Sequence, residues 1–292
     1  MAREGRGAEG ETGQKIKPPM TIIDFHTHFF PESLFRAIWK WFDDYLWGIQ
    51  HKVLADELFK KLKSIGISKM VLLNYAHKPG MSRKLNQWTR EFTHKYPDVI
   101  PFGTVHPNDK DRDKIVTQCF EDYGFYGLKL HAIVLRMAVD DPIFFPIYEK
   151  MEEAGKILML HAGTGPRLEG STEDSSDFAG VKRVKVILKH YPNLKLVIPH
   201  LGTEEIDEFF HLMEEHENLW MDTTMMLAGY FPKKPSLTMI EKFSDRILYG
   251  SDAPHIPYPL DTEMNNIKNW FSKDVQEKLF FKNARKLLGF ES

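Results

Sequence analysis

The sequence predicts a (β/α)8 barrel of the TIM-barrel class, with an aromatic-rich insertion after the first strand. Two observations carry that prediction. Short β-rich runs alternate with longer helical patterns eight times along the chain, and a strand that crosses through a helix to a parallel neighbour is the repeating unit of α/β folds. Several of the runs also open on apolar residues and end in His, Asp, Asn or Thr, as in IIDFHTH, ILMLHAG, LVIPHLG and ILYGSDAP. In such a barrel the reacting groups project from the C-terminal strand ends. An open doubly wound sheet would gather a ligand at one switch point and would not call for polar ends on so many strands.

Taken in order, residues 1–19 (MAREGRGAEGETGQKIKPP) alternate glycine with charge and end in two prolines. With almost nothing apolar to bury, they read as a flexible tail. Residues 20–292 then read as one barrel domain. The eight runs fall at 21–28, 69–76, 100–107, 126–131, 157–163, 194–202, 219–224 and 247–254. Most connections have room for one helix, but about 40 residues separate the first run from the second. Helical spacing at 54–65 marks the end of this stretch as the first barrel helix. The insertion, about residues 29–53, holds Phe29, Phe30, Phe35, Trp39, Trp41, Phe42, Tyr45 and Trp47. Springing from a C-terminal strand end, it is expected to serve as a lid, a pocket wall, a subunit interface or a local mini-core.

Composition narrows the function. The 292 residues are 42% hydrophobic, enough for a sizeable core. Thirty-nine Lys and Arg against 41 Asp and Glu give a net charge of −2, which removes the electrostatic reason to expect nucleic acid or an anionic membrane as partner. The single cysteine, Cys119, permits no intrachain disulfide. No apolar run approaches the roughly 18 residues of a membrane span, and no secretory signal opens the chain. The expectation is a cytoplasmic enzyme acting on a small molecule, with a homodimer as the candidate assembly.

His26 and His28 stand two apart, and on a strand residues i and i+2 face the same way. His161, His200 and Asp252 close the fifth, sixth and eighth runs. Imidazole and carboxylate are ligands for Zn2+ and similar first-row ions, and a catalytic site uses three or four of them. His26, His28, His161 and Asp252 supply that set. His200 is left to act as general acid or base or to polarise a substrate oxygen.

These residues resemble the amidohydrolase superfamily of metal-dependent barrels. The closest likeness is to its amidohydrolase-related branch, which includes 2-amino-3-carboxymuconate-6-semialdehyde decarboxylase, aromatic-acid decarboxylases and simple hydrolases. The resemblance runs through IIDFHTHFFP, YPDVIPFGTVHP, GFYGLKLH, ILMLHAGTG, LVIPHLG, YGSDAPH and EKLFFKNARKLLGF, in that order. It implies His26, His28, His161 and Asp252 as metal ligands, His200 as the catalytic histidine, and a shared ligand and proton-acceptor role for Asp252. It also raises Lys129 as a carboxylated bridge to a second metal. Against this, Asp24 is the expected ion-pair partner of Lys129 across the interior, since a buried charge needs a counter-charge. His131 ends the fourth run, and Arg136 and Arg167 follow the fourth and fifth; all three are candidate substrate contacts, the arginines as clamps on a carboxylate.

The leading functional expectation is a hydrolase in which water activated by one divalent ion, Zn2+ first and Mn2+ second, attacks an ester, lactone or amide carbonyl. The alternative is non-oxidative decarboxylation of an aromatic or unsaturated acid at the same site. A non-catalytic scaffold ranks below both, because no polar strand end has been lost.

Overall fold

The computed structural model describes residues 20–165 and 174–290. The expected tail, residues 1–19, lies outside the described residues, as does Arg167. Eight strands form one parallel sheet in chain order: β1 (Ile23–Thr27), β2 (Lys69–Leu72), β3 (Val99–Gly103), β4 (Gly127–His131), β5 (Ile157–His161), β6 (Lys195–Ile198), β7 (Leu219–Asp222) and β8 (Ile247–Leu248). β1 meets the β8 segment through Phe25 N–H to Tyr249 O at 2.8 Å and Asp252 N–H to His26 O at 2.9 Å. His28 N–H adds a bond to Ala253 O at 2.8 Å. The sheet thereby curls into a nearly closed barrel with helices between the strands.

Parallel strands covered on both faces need continuous apolar runs, and these have them. Leu128, Leu130, Leu158, Leu160, Leu196 and Ile198 pack in one apolar cluster with helix residues such as Leu58, Ile147 and Ile187. Alternate strand residues Val71, Phe102, Met159, Val197 and Trp220 form a second cluster with Ala284, Leu287 and Leu288 of the last helix. The strands stop earlier than the expected runs because the polar tails of the runs leave the ladder. Asp252 lies four residues beyond β8, and His200 sits in a turn after β6.

β1 departs from regular pairing. Asp24 faces Met70 and Thr27 faces Leu72, so Phe25 and His26 together stand opposite Val71 and one extra residue is accommodated in β1. Such a bulge interrupts strict alternation and re-aims side chains.

The insertion folds into a helix, Glu32–Tyr45, that buries Phe35 and Phe42. The next helix, Ala55–Ser64, matches the expected 54–65 within a residue at each end. Trp47 Nε1 donates to His255 O at 2.7 Å and Gln50 N–H to Ile256 O at 3.0 Å, which ties the insertion to the loop after β8. Among the described residues no helix is long and apolar enough to cross a membrane.

Candidate metal centre

Three ligand atoms, one each from His26, His28 and Asp252, lie within 4.8 Å of one another, and all three residues are buried. The His26 and His28 rings meet edge to face with centroids 5.0 Å apart. Asp252 is placed by the turn after β8, where its backbone adopts a left-handed φ of 62°. That conformation is uncommon outside glycine and costs free energy. Asp252 N–H is held by His26 O, so the strained turn is anchored directly to the ligand-bearing strand.

The proton positions decide what this trio can hold. His26 Nδ1 is 2.8 Å from Asp222 Oδ2; burial raises the Asp222 carboxyl to about 7, and in its ionised form it only accepts, so Nδ1 then carries the hydrogen. His28 Nδ1 is 2.7 Å from Leu73 O, with the same consequence. Both Nε2 atoms are then lone-pair donors facing one carboxylate oxygen, Asp252 Oδ1, at 3.5 Å and 2.9 Å. His26 Nε2 is buried without a hydrogen-bond partner. Acceptors crowded against acceptors require either an extra proton or a cation between them. A metal ion satisfies all three groups at once, so the donor set fits a divalent cation.

The surrounding charges agree. Burial opposes ionisation of Asp252, but the imidazole of His28 against it, with those of His200 and His255 nearby, holds its carboxyl down to about 2. His200 is driven down to about 4 by burial, with Lys129 adding to the effect and Asp252 opposing it. Its Nδ1 donates to Thr224 O at 3.1 Å, which leaves Nε2 as the acceptor. Lys129 is fully buried and its Nζ has no hydrogen-bond partner; burial lowers its pKa to about 8 against the pull of Asp222 and Asp252.

The family model described as Amidohydrolase matches residues 23–290. The chain belongs to the amidohydrolase family. No curated protein matches it significantly. Among solved structures, 2,6-dihydroxybenzoate decarboxylase from Rhizobium superposes with a TM-score of 0.72 at 19% identity, over 94% of this chain and 100% of that one. An uncharacterised TIM-barrel protein from Bordetella bronchiseptica gives 0.71 at 21%, over 92% and 99%. A 5-carboxyvanillate decarboxylase from Novosphingobium aromaticivorans, solved with manganese and 4-hydroxy-3-methoxy-5-nitrobenzoic acid, gives 0.65 at 18%, over 93% and 96%. At these identities the likeness is one of fold. Membership of that family makes this chain an enzyme.

The remaining expected residues distribute around the trio. His161 stands outside its three converging atoms; its ring stacks on His131 at 3.8 Å and lies 4.7 Å from His200, which is 5.4 Å from His26. Burial first, then neighbouring charge, keeps both His131 and His161 well below the ordinary imidazole pKa. Arg136 is exposed after the short helix that follows β4.

The expected Asp24–Lys129 ion pair does not form. Asp24 Oδ1 accepts from the backbone N–H groups of His26 at 3.1 Å and Ser251 at 3.0 Å, while its Oδ2 is unpartnered. The bulge at Phe25 and His26 breaks the equivalence of Asp24 and Lys129 positions on which that pair depended. Asp222 and Tyr75, which are not among the residues expected from sequence, also bear on the site. Asp222, at the polar end of β7, carried the same strand-end signal as the other candidates. Tyr75 sits edge-on to His28 at 5.7 Å and to His131 at 5.0 Å, with nothing in its local sequence to mark it.

Proposed function

We propose that this enzyme is a metal-dependent, non-oxidative decarboxylase of a small aromatic or unsaturated carboxylic acid. The observation that carries the reading is the ring wall against the ligand set. Phe30 stacks on His28 at 6.0 Å, Tyr75 meets it edge-on, and Phe30 and Tyr75 meet each other at 5.4 Å. Such walls suit a flat, unsaturated substrate. Support comes also from the structural neighbours that carry an activity in their names, the 2,6-dihydroxybenzoate and 5-carboxyvanillate decarboxylases. Hydrolysis of an ester, lactone or amide, the leading expectation from sequence, draws on the same polar groups but gives the ring wall no task.

His26, His28 and Asp252 would hold the ion, with His161 as a proposed fourth ligand. Zn2+ or Mn2+ held there would supply positive charge to offset that of the substrate carboxylate. The chain does the rest. Breaking the bond to the carboxyl carbon releases carbon dioxide and leaves an electron pair on the substrate carbon, which takes up one proton. His200 and Asp252 are the two carriers within the site. Both are unprotonated near neutral pH, so the one proton is taken from solvent by His200 at Nε2 or by Asp252 at its carboxylate, and that group then passes it to carbon. His131 and the arginines Arg136 and Arg167 are proposed to meet the substrate's outer polar groups.

The test is product analysis on purified protein loaded with Zn2+ or Mn2+. Hydroxylated aromatic acids are expected to release carbon dioxide. Acid release from lactones or esters, with no carbon dioxide from any carboxylate in the panel, would replace decarboxylation by hydrolysis. Elemental analysis near one ion per chain would leave Lys129 unmodified, and a value near two would assign it the bridge.

A further inference from the structure

We propose that Asp222 is a positioning residue that sets the tautomer of His26 and the backbone of His200 with a single carboxylate. The inference rests on the reading of His26 as a metal ligand. Asp222 is fully buried at the end of β7 and receives three N–H groups. Oδ2 accepts from His26 Nδ1 at 2.8 Å. Oδ1 accepts from the backbone N–H of His200 at 2.9 Å and of Thr224 at 3.2 Å. His200 and Leu201 both have left-handed backbone, with φ of 55° and 50°. Non-glycine residues hold that conformation only when their surroundings over-determine it. Thr224 in turn gives its carbonyl to His200 Nδ1 at 3.1 Å, so both the ring and the backbone of His200 trace back to this carboxylate.

Three donors need acceptors, and the side chain of Asp222 offers two oxygens to them. An asparagine offers one. In Asp222→Asn the amide oxygen serves the two backbone N–H groups, and the amide NH2 turns to His26. His26 Nδ1 must then become the acceptor, which moves its hydrogen to Nε2, the atom aimed at Asp252. A protonated Nε2 cannot ligate a metal. Loss of a carboxylate that orients a ligating histidine costs metal affinity by about 10- to 100-fold in other sites.

Two measurements test this. Co2+ titration, followed by its visible bands, is expected to show Asp222→Asn binding about 10- to 100-fold more weakly than the unaltered chain, with cooperative unfolding kept. In metal-free unaltered protein labelled with 15N-histidine, the His26 signal, assigned by its loss in His26→Gln, is expected to show hydrogen on Nδ1. Equal Co2+ affinity in the variant overturns the inference, as does an Nε2–H tautomer in the unaltered chain. If Asp222→Asn fails to fold, the tautomer measurement still decides. No Co2+ binding by the unaltered chain overturns the metal reading itself and takes this inference with it.

Discussion

His255 lies against His28 with ring centroids 4.8 Å apart and planes 20° from parallel, and Phe42 stacks on His255 at 5.3 Å. The insertion helix thus reaches His28 through one intermediate ring, and the Trp47 bond to the His255 carbonyl fixes that ring's loop. Its inward face packs on His255 through Phe35 and Phe42, while Trp41 and Tyr45 remain exposed on the outer face.

Phe42→Ala is therefore expected to lower stability by about 3 kcal/mol, the usual cost of emptying a buried aromatic position. It should also raise KM while leaving metal content near that of the unaltered enzyme. Urea unfolding, elemental analysis and kinetics check this; an unchanged KM would make the contact purely structural.

His255 gives a pH dependence. Burial, and then the charge of His28, drives its imidazole down to about 3, whereas the unfolded chain protonates it near 6.5. The unfolded state therefore binds the proton that the native state refuses. The stability His255 permits is complete above about 6.5 and is lost as pH falls toward 3. In metal-free protein, His255→Phe keeps the ring stack and removes the titration. Its stability should fall less than that of the unaltered chain between pH 7 and pH 5, as read by denaturant midpoints. Parallel losses in the two proteins would contradict this.

His26→Ala or Asp252→Ala should release the ion and abolish turnover, whereas His200→Ala should retain the ion and still lose turnover. Chelation should lower the melting temperature of the unaltered protein and of His200→Ala, but not of His26→Ala or Asp252→Ala. An ion present at 100 times its Kd contributes about 2.7 kcal/mol. Full activity in metal-stripped protein would end the mechanism.

Gly250→Ala should damage the centre from behind. A Cβ there would meet Thr224 Oγ1 and come within 2.7 Å of His26 Cβ. Overpacking of this kind costs about 1–3 kcal/mol, and here it pushes on the strand that carries His26. Weaker metal binding together with a lower melting temperature is expected; a neutral substitution would show that β1 can yield.

Much of the molecule was legible without coordinates because its signals are local. Parallel strands buried on both faces must be short apolar runs, and a barrel shows its catalytic rim as polar residues closing those runs. His26-x-His28 announced two rings converging on one point, and they do lie 5.0 Å apart. The helix at 55–64 showed itself by spacing alone.

The chain alone determined the barrel, its order of strands and the residue types gathered at one rim, since apolar periodicity and polar run-ends are written within a few positions of each other. Only the folded molecule decided which of those groups touch. The bulge in β1 parted Asp24 from Lys129, the left-handed turn aimed His200, and Asp222, 196 residues from His26, fixed that ring's proton. The reason is physical: tautomer, hydrogen-bond partner and burial depend on neighbours brought together from distant parts of the chain, and no local pattern records them.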